Sequence, residues 1–495
     1  MSDPPPHDAG VVAARGAVAA AAQALSWDDV AGLADTPADL PGLGDDPTLT
    51  EAAAAVASGA VTSERLVQTC LDAIARANAR TGWFVRVEAE RALAQARECD
   101  RRRASGEALG PLHGVPLAHK DMFARAGAPM ECGSRILAGH QPTSTATLIA
   151  RLEAAGAVTL GALHMAEFAL SPVGDNAHLG ARPNPWNAAH VTGGSSSGSG
   201  AAVATRQAFA ALGSDTGGSV RLPAACCGVT GLKPTQGTLP MDGVMPLAPS
   251  LDCAGFLARS AADCGRLLAV ATGQPEAAAR ESWTVAVPTL GPDAPATAEV
   301  RAILAAAAET LRAAGCRLVA VPTPDLAAAG RIAALVLAAE AASVHGRWLA
   351  SRKAEYGVLT YRRIARGLAY SAVEYIDALR LRAPLRREFL RVHLAGADAL
   401  LLPMLPEPVP TIAEATVGAP EVVEARIGNF SYWARAFNLF GLPALTLPAG
   451  FTASGLPMGV QLIGLPGSDA ALCRLGARFQ AASDWHRRRP PEATP

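Results

Sequence analysis

Between residues 47 and 105 apolar positions recur three and four residues apart, the spacing of a helix that buries one face. Thr48 stands ahead of an Ala-rich run as a candidate N-cap. The run opened by Ser63-Glu64-Arg65-Leu66-Val67 sets Leu66, Cys70, Ile74 and Ala77 on one side. Pro111 to Pro116 ends this region. Leu148 to Ala155 then reads as a helix, Gly156 as its stop and Ala157-Val158-Thr159-Leu160 as a short buried strand. Further strands are predicted at Thr284–Val287, Arg317–Val321 and Ala399–Leu402, around Leu445 and at Gly459–Ile463. Between them, Glu299 to Ala314 and a long zone from Ile332 to about Leu390 carry the helical pattern. That zone is richer in arginine and aromatics (Trp348, Tyr356, Tyr361, Tyr370, Tyr375) and reads as helical decoration beside a sheet. Helices alternating with short buried strands predict an α/β architecture. Residues 1–46, with Pro4-Pro5-Pro6 and an Ala-rich stretch from Val11 to Leu25, read as a tail and helical extension, and 47–495 as a single domain.

Composition narrows the function. Half of the 495 residues are hydrophobic and the formal net charge is -1, which argues against a polyanion-binding surface and against direct nucleic-acid binding. Arg101-Arg102-Arg103 and Arg487-Arg488-Arg489 read as solvated ends of elements. The chain opens without a basic segment followed by an apolar run, and Val11–Leu25 is too short and too weakly apolar to span a bilayer, so a cytoplasmic protein free of the membrane is expected. Nine scattered cysteines make a poor disulfide framework. The adjacent Cys226 and Cys227 read as packing residues. Metal-ligand spacing is missing, so neither metal nor cofactor is expected.

The candidate chemistry lies in two glycine-serine clusters, Gly193–Gly200 and Asp215–Arg221, and in a lysine upstream of both, Lys120. A phosphate-binding loop is disfavoured, since neither cluster has lysine after its last glycine. Gly194-Ser195-Ser196-Ser197-Gly198 fits the nucleophile-elbow pattern with Ser196 at its centre, but no hydrophobic strand precedes it. A histidine base is not singled out, His119 beside Lys120 being the nearest candidate. A serine activated by lysine is the third option. Gly114-Val115-Pro116-Leu117-Ala118 supplies apolar surroundings that disfavour an ammonium at Lys120, and Gly217-Gly218 lets backbone N–H groups converge beside Ser219.

The stretch from about Leu112 to Leu257 resembles the signature region of the amidase signature family, serine amidohydrolases with a Ser-Ser-Lys triad. The matching pieces run in order. Gly114-Val115-Pro116 leads to Lys120-Asp121, and Asn184-Pro185-Trp186-Asn187 leads to Gly193–Ala202. Gly213–Ala224, Gly228–Thr235 and Pro249-Ser250-Leu251-Asp252 follow. Gly441-Leu442-Pro443-Ala444 and Gly455–Gly464 extend the likeness toward the C-terminus.

The resemblance implies a large mixed, twisted β-sheet covered by helices on both faces, with the catalytic core at about 110–260 and a helical substrate side at about 332–390. It also implies Ser219 as nucleophile, Lys120 as ultimate base and Ser195 as the relay between them, on a cis Gly194–Ser195 bond. Thr216, Gly217 and Gly218 become the oxyanion donors. Asp215 and Arg221 are expected to frame the glycine turn, with substrate contact as their other role. Ser196 and Ser199 read as hydrogen-bonding scaffold, and Asp121 as ordering the lysine loop. Met130, Glu131 and Cys132 occupy the place of a substrate-side loop, where lining an acyl pocket and packing are both open, and His178 joins them as a pocket candidate.

Two segments depart from the family wording, Ser171–His178 and Cys253-Ala254-Gly255-Phe256, and leave the substrate open. The main expectation is a free-standing amidase for a small or medium carboxylic amide, with a homodimer as the oligomer to consider. The alternatives are a glutaminase-type subunit of an amidotransferase complex, or an esterase or carbamate hydrolase using the same triad.

Overall fold

The computed structural model describes residues 43, 46–276, 278 and 280–490. The expected tail and helical extension over 1–46, including Val11–Leu25, lie outside the described residues apart from Leu43 and Asp46.

Thirteen strands follow one another along the chain. β1 (Phe84–Val87), β2 (Pro116–Lys120) and β3 (Val158–Leu163) come early. A hairpin of β4 (Pro183–Asn184) and β5 (Asn187–Val191) stands apart. β6 (Ala210–Asp215), β7 (Thr230–Lys233) and β8 (Cys253–Ala258) complete the first part, and β9 (Thr284–Thr289), β10 (Arg317–Pro322), β11 (Ala399–Pro403), β12 (Ala444–Phe451) and β13 (Pro457–Gly464) the second. Eleven of them form one sheet in the order β1-β3-β2-β6-β8-β7-β12-β13-β11-β9-β10.

The sheet is mixed. β3, β2 and β6 run parallel, as do β11, β9 and β10, and the strands between them pair antiparallel. Every residue of β2, β3, β6, β7, β8, β11 and β13 is buried, whereas no residue of β10 at the edge is buried. Burial of both strand faces requires helices on both sides of the sheet, and that is why β8 and β11 read as apolar runs rather than alternating ones. The α/β expectation of a large mixed sheet covered on both faces holds.

Predicted elements are found within a few residues of their expected bounds: the helices Ser63–Thr81, Thr147–Ala154 and Ala298–Ala313, and β3, β9, β10, β11 and β13. Thr48 caps the helix Leu49–Ser58 in a reciprocal capping box with Glu51. Arg101–Arg103 end the helix Ala89–Ala104. The zone 332–390 lies in the helices Ala327–Leu349, Val358–Ala365 and Ala372–His393. At 23 residues, Ala327–Leu349 is long and apolar enough to cross a bilayer by length and composition. Here it packs against the other two and against the helix Tyr432–Leu439, as part of the folded body.

This topology places the chemistry. β2 and β6 are parallel neighbours, with His119 opposite Leu212, so their carboxyl ends emerge side by side. Lys120 closes β2. Ser214 and Asp215 close β6, and the turn that carries Ser219 leads directly into the helix Arg221–Cys227. The crevice beyond the carboxyl ends of parallel strands is where open α/β sheets bind ligands.

Candidate active site

Alternation along β2 points Lys120 and His119 to opposite faces. Lys120 is fully buried, and its Nζ lies 2.6 Å from Ser195 Oγ and 2.9 Å from Ser214 Oγ. Burial drives the lysine down to about 7, against the pull of the Asp215 and Asp252 carboxylates. Near neutral pH a large share of it is therefore an uncharged amine. The Ser214 hydroxyl accepts from Nζ and donates in turn to Met122 Sδ at 3.0 Å. Nζ thus reaches both hydroxyls, and in its uncharged form it carries a lone pair able to accept a proton. His119 is pushed by burial to about 4, and among the described residues its ring hydrogen-bonds to the Lys120 carbonyl alone, at 3.2 Å.

Ser195 follows a cis Gly194–Ser195 bond. The Gly194 N–H donates to the Pro172 carbonyl at 2.6 Å, and the Ser195 carbonyl accepts from the Ala166 N–H at 3.1 Å. A side chain at Gly194 would run into the Ser171 carbonyl, so only glycine admits this approach. The two clusters meet where the Ser196 N–H donates to the Ser219 carbonyl at 3.3 Å. Ser196 and Ser199 point into the sheet, toward the Ser214 and Leu212 carbonyls.

Ser219 is less deeply buried than Lys120, Ser195 or Ser214, with 7% of its surface exposed. Its turn is built around Asp215. That carboxylate accepts from the Gly218 N–H (2.8 Å) and the Val220 N–H (3.2 Å), and from Arg221 Nε and Nη2 at 3.0 Å each. Burial opposes its ionisation, but the Arg221 charge, its hydrogen bonds and Asn438 outweigh burial and hold Asp215 well below the usual carboxylate range. Arg221 is closed in by Gln461 Oε1 (3.1 Å), the Ala434 carbonyl (3.1 Å) and Asn438 Oδ1 (2.8 Å). Of the two roles open to this pair, the frame is the one its contacts describe, because both charges are saturated inside the protein. Thr216 is held separately, its hydroxyl donating to Asp252 at 2.6 Å.

Asp121 lies 3.7 Å from Arg86, accepts from the Glu131 N–H at 3.2 Å and is raised by burial to about 7. It ties the 130–132 loop to the end of β2, and its own carbonyl accepts from the Cys132 N–H.

A narrow cavity of about 40 Å3 opens at Ser219. Ala169 to Pro172, Thr216, Gly217, Leu247, Ala333, Leu337, Arg363, Ser431 and Arg435 form its wall. None of the expected pocket residues Met130, Glu131, Cys132 and His178 is among them. The Glu131 carboxylate accepts from the Gly139 N–H, Cys132 is wholly buried, and His178 pairs with the buried Glu167 at 2.9 Å. Glu167 also accepts from Ser134 Oγ and the Gly357 N–H, so this group joins the 130–134 loop to the helical zone. Among the described residues no set of three or more His, Cys, Asp or Glu side chains is placed to hold a metal ion.

Sequence reasoning missed Ser214, Asn438, Gln461, Arg363, Ser431 and Arg435. Ser214 lies inside the Gly213–Ala224 stretch with no signal to set it apart. The others are far along the chain from Ser219, and although Gln461 lies inside the Gly455–Gly464 likeness, no motif singles out any of them.

The Amidase family model matches residues 65–473. The A subunit of the glutamyl-tRNA(Gln) amidotransferase of Aromatoleum aromaticum is 37% identical over 489 residues, covering 90% of this chain and 98% of that protein. Among solved structures, the crystal structure of an amidase superposes with a TM-score of 0.81 at 31% identity, over 88% of this chain and 99% of that one. Native peptide amidase from Stenotrophomonas maltophilia superposes with a TM-score of 0.77 at 29% identity, over 92% of this chain and 99% of that one.

Proposed function

Because the chain belongs to the amidase signature family of serine hydrolases, we propose that it cleaves the C–N bond of a small-molecule carboxylic amide through an acyl-enzyme on Ser219. The observation that carries this reading is the buried Lys120 amine, depressed to about 7 and 2.6 Å from Ser195 Oγ.

In this mechanism neutral Lys120 takes the Ser195 proton while Ser195 takes that of Ser219, whose oxygen attacks the amide carbon. The oxyanion is held by backbone N–H groups of the 216–219 turn. Thr216, Gly217 and Ser219 border the cavity and serve this role, while the Gly218 N–H is occupied by Asp215. Ser195 then returns a proton to the leaving nitrogen, which an amide needs because its anion leaves poorly. Water enters, loses its proton along the same path and releases the acid. Esters and carbamates can enter the same route.

The near full-length likeness to the A subunits of amidotransferases favours an ammonia-releasing subunit over a free-standing amidase as the setting of this reaction. Ammonia release by the purified chain, alone and with a partner subunit, tests the setting, since a free-standing amidase is indifferent to the partner. For the chemistry, Ser219→Ala is expected to abolish hydrolysis while retaining the fold. Hydrolysis at the wild-type rate would overturn it.

A further inference from the structure

Two arginines reach the cavity at Ser219 from separate helices, Arg363 from Val358–Ala365 and Arg435 from Tyr432–Leu439. Among the described residues neither has a carboxylate hydrogen-bond partner. Arg435 donates from Nε to Ser431 Oγ at 2.8 Å and from Nη2 to the Gly428 and Ile427 carbonyls at 2.9 and 3.4 Å. Arg363 donates from Nη1 to the Leu170 carbonyl. Asp175 and Glu424 are within electrostatic range of Arg363 without hydrogen-bonding to it; Asp175 accepts from Ser171 Oγ, and Glu424 pairs with Arg366 at 2.6 Å. Burial lowers both guanidiniums, and burial together with the neighbouring Arg363 charge brings Arg435 to about 10; an arginine is not deprotonated at neutral pH.

A half-buried guanidinium whose hydrogen bonds all go to neutral oxygens keeps charge-assisted donors to offer an anion in the cavity. Among the described residues no Asp, Glu or His is in the cavity wall, so no carboxylate or imidazole there would pair with an ammonium group. Arg435 is also placed close to the chemistry: a side chain at Gly217 would meet its Cγ at 3.3 Å, so the arginine stem lies along the turn that carries the proposed oxyanion donors.

We infer that this site selects amides whose acyl chain ends in a carboxylate and bears no amine, that is, monoamides of short dicarboxylic acids. Arg435 and Arg363 grip the distal carboxylate while the amide carbon meets Ser219. The inference rests on the proposed acyl-enzyme chemistry at Ser219. It also narrows the donor, because glutamine would present its carboxylate to the arginines but bring an ammonium group to a wall that offers it no counter-charge.

The test compares succinamate, glutaramate and adipamate with neutral hexanamide and with glutamine, by kcat/KM for ammonia release and by calorimetric binding to Ser219→Ala. The best monoanionic amide is expected to exceed hexanamide by 100-fold or more, and glutamine by tenfold or more, in both readouts. Arg435→Gln should cut the preference for the anionic amide over hexanamide at least tenfold, with Arg435→Lys restoring part of it. Equal handling of anionic and neutral amides, an unchanged preference in Arg435→Gln, or no binding of any monoanionic amide would overturn the inference. Glutamine outperforming glutaramate would overturn the exclusion of the amine. Because Ser219→Ala separately tests the nucleophile, a wild-type enzyme that depends on Ser219 yet shows no preference for anions refutes only the substrate class.

Discussion

Burial without a contacting carboxylate sets the protonation of Lys120, and with it the pH range in which the site works. The amine must be neutral to accept a proton. kcat/KM is therefore expected to rise with pH through a pKa of about 7 and then level off, falling about tenfold per unit on the acid side; a flat profile between pH 5 and 8 would contradict a lysine base. The same burial has a stability signature. The folded-state value of about 7 is below the unfolded value of 10.5, so between them the unfolded chain binds more protons and stability rises with pH. Lys120→Met lacks this linkage. Across pH 7 to 10 the wild type should gain on the variant by up to about 1.4 kcal/mol per pH unit in denaturant unfolding. Parallel stability curves would mean that Lys120 titrates normally.

The turn from Thr216 to Ser219 links a strand to a helix, and glycine is dictated there by geometry. Gly218 has φ 120°, and a Cβ on it would meet Ala434 Cβ at 2.7 Å and Leu222 Cδ1 at 2.9 Å. Gly218→Ala is expected to cost on the order of 1–3 kcal/mol of stability by overpacking. Activity should fall about 100-fold or more as the neighbouring N–H donors lose their aim; near-wild-type kcat would show that the turn is not preorganised. Such a turn is legible in the sequence because paired glycines and a serine are local signals, as are the apolar runs of β3, β9 and β11. Sequence reading recognises Pro116–Ala118 as apolar surroundings of Lys120 without seeing that they form β2. It also treats Cys253–Phe256 as a departure in wording, although these residues begin β8, a central strand. Both segments are short, and their strand character comes from neighbours supplied by other parts of the chain. The wall of the cavity at Ser219 is hidden from sequence reading for the same reason. Met130 and Cys132 lie near Lys120 in sequence, whereas Arg363 and Arg435 reach the cavity only through the folded helices.

At the scale of the whole molecule, the C-terminal half completes a site whose proposed triad lies entirely at or before Ser219. Asn438 donates to the Asp215 carbonyl and carboxylate at 2.8 and 2.9 Å, and Gln461 on β13 accepts from Arg221. Asn438→Ala leaves a buried ion pair short of partners. It is expected to cost on the order of 2–3 kcal/mol and to lower kcat more than it raises KM, since it loosens the turn without touching the cavity wall. A change confined to KM would place Asn438 in substrate binding instead. The central claim is the covalent route through Ser219, and mass spectrometry of the protein quenched during turnover of an amide tests it most directly. The account predicts an acyl adduct on the peptide containing Ser219, absent in Ser219→Ala; an adduct on another residue, or turnover with no adduct under conditions that trap an acyl-enzyme, would contradict it.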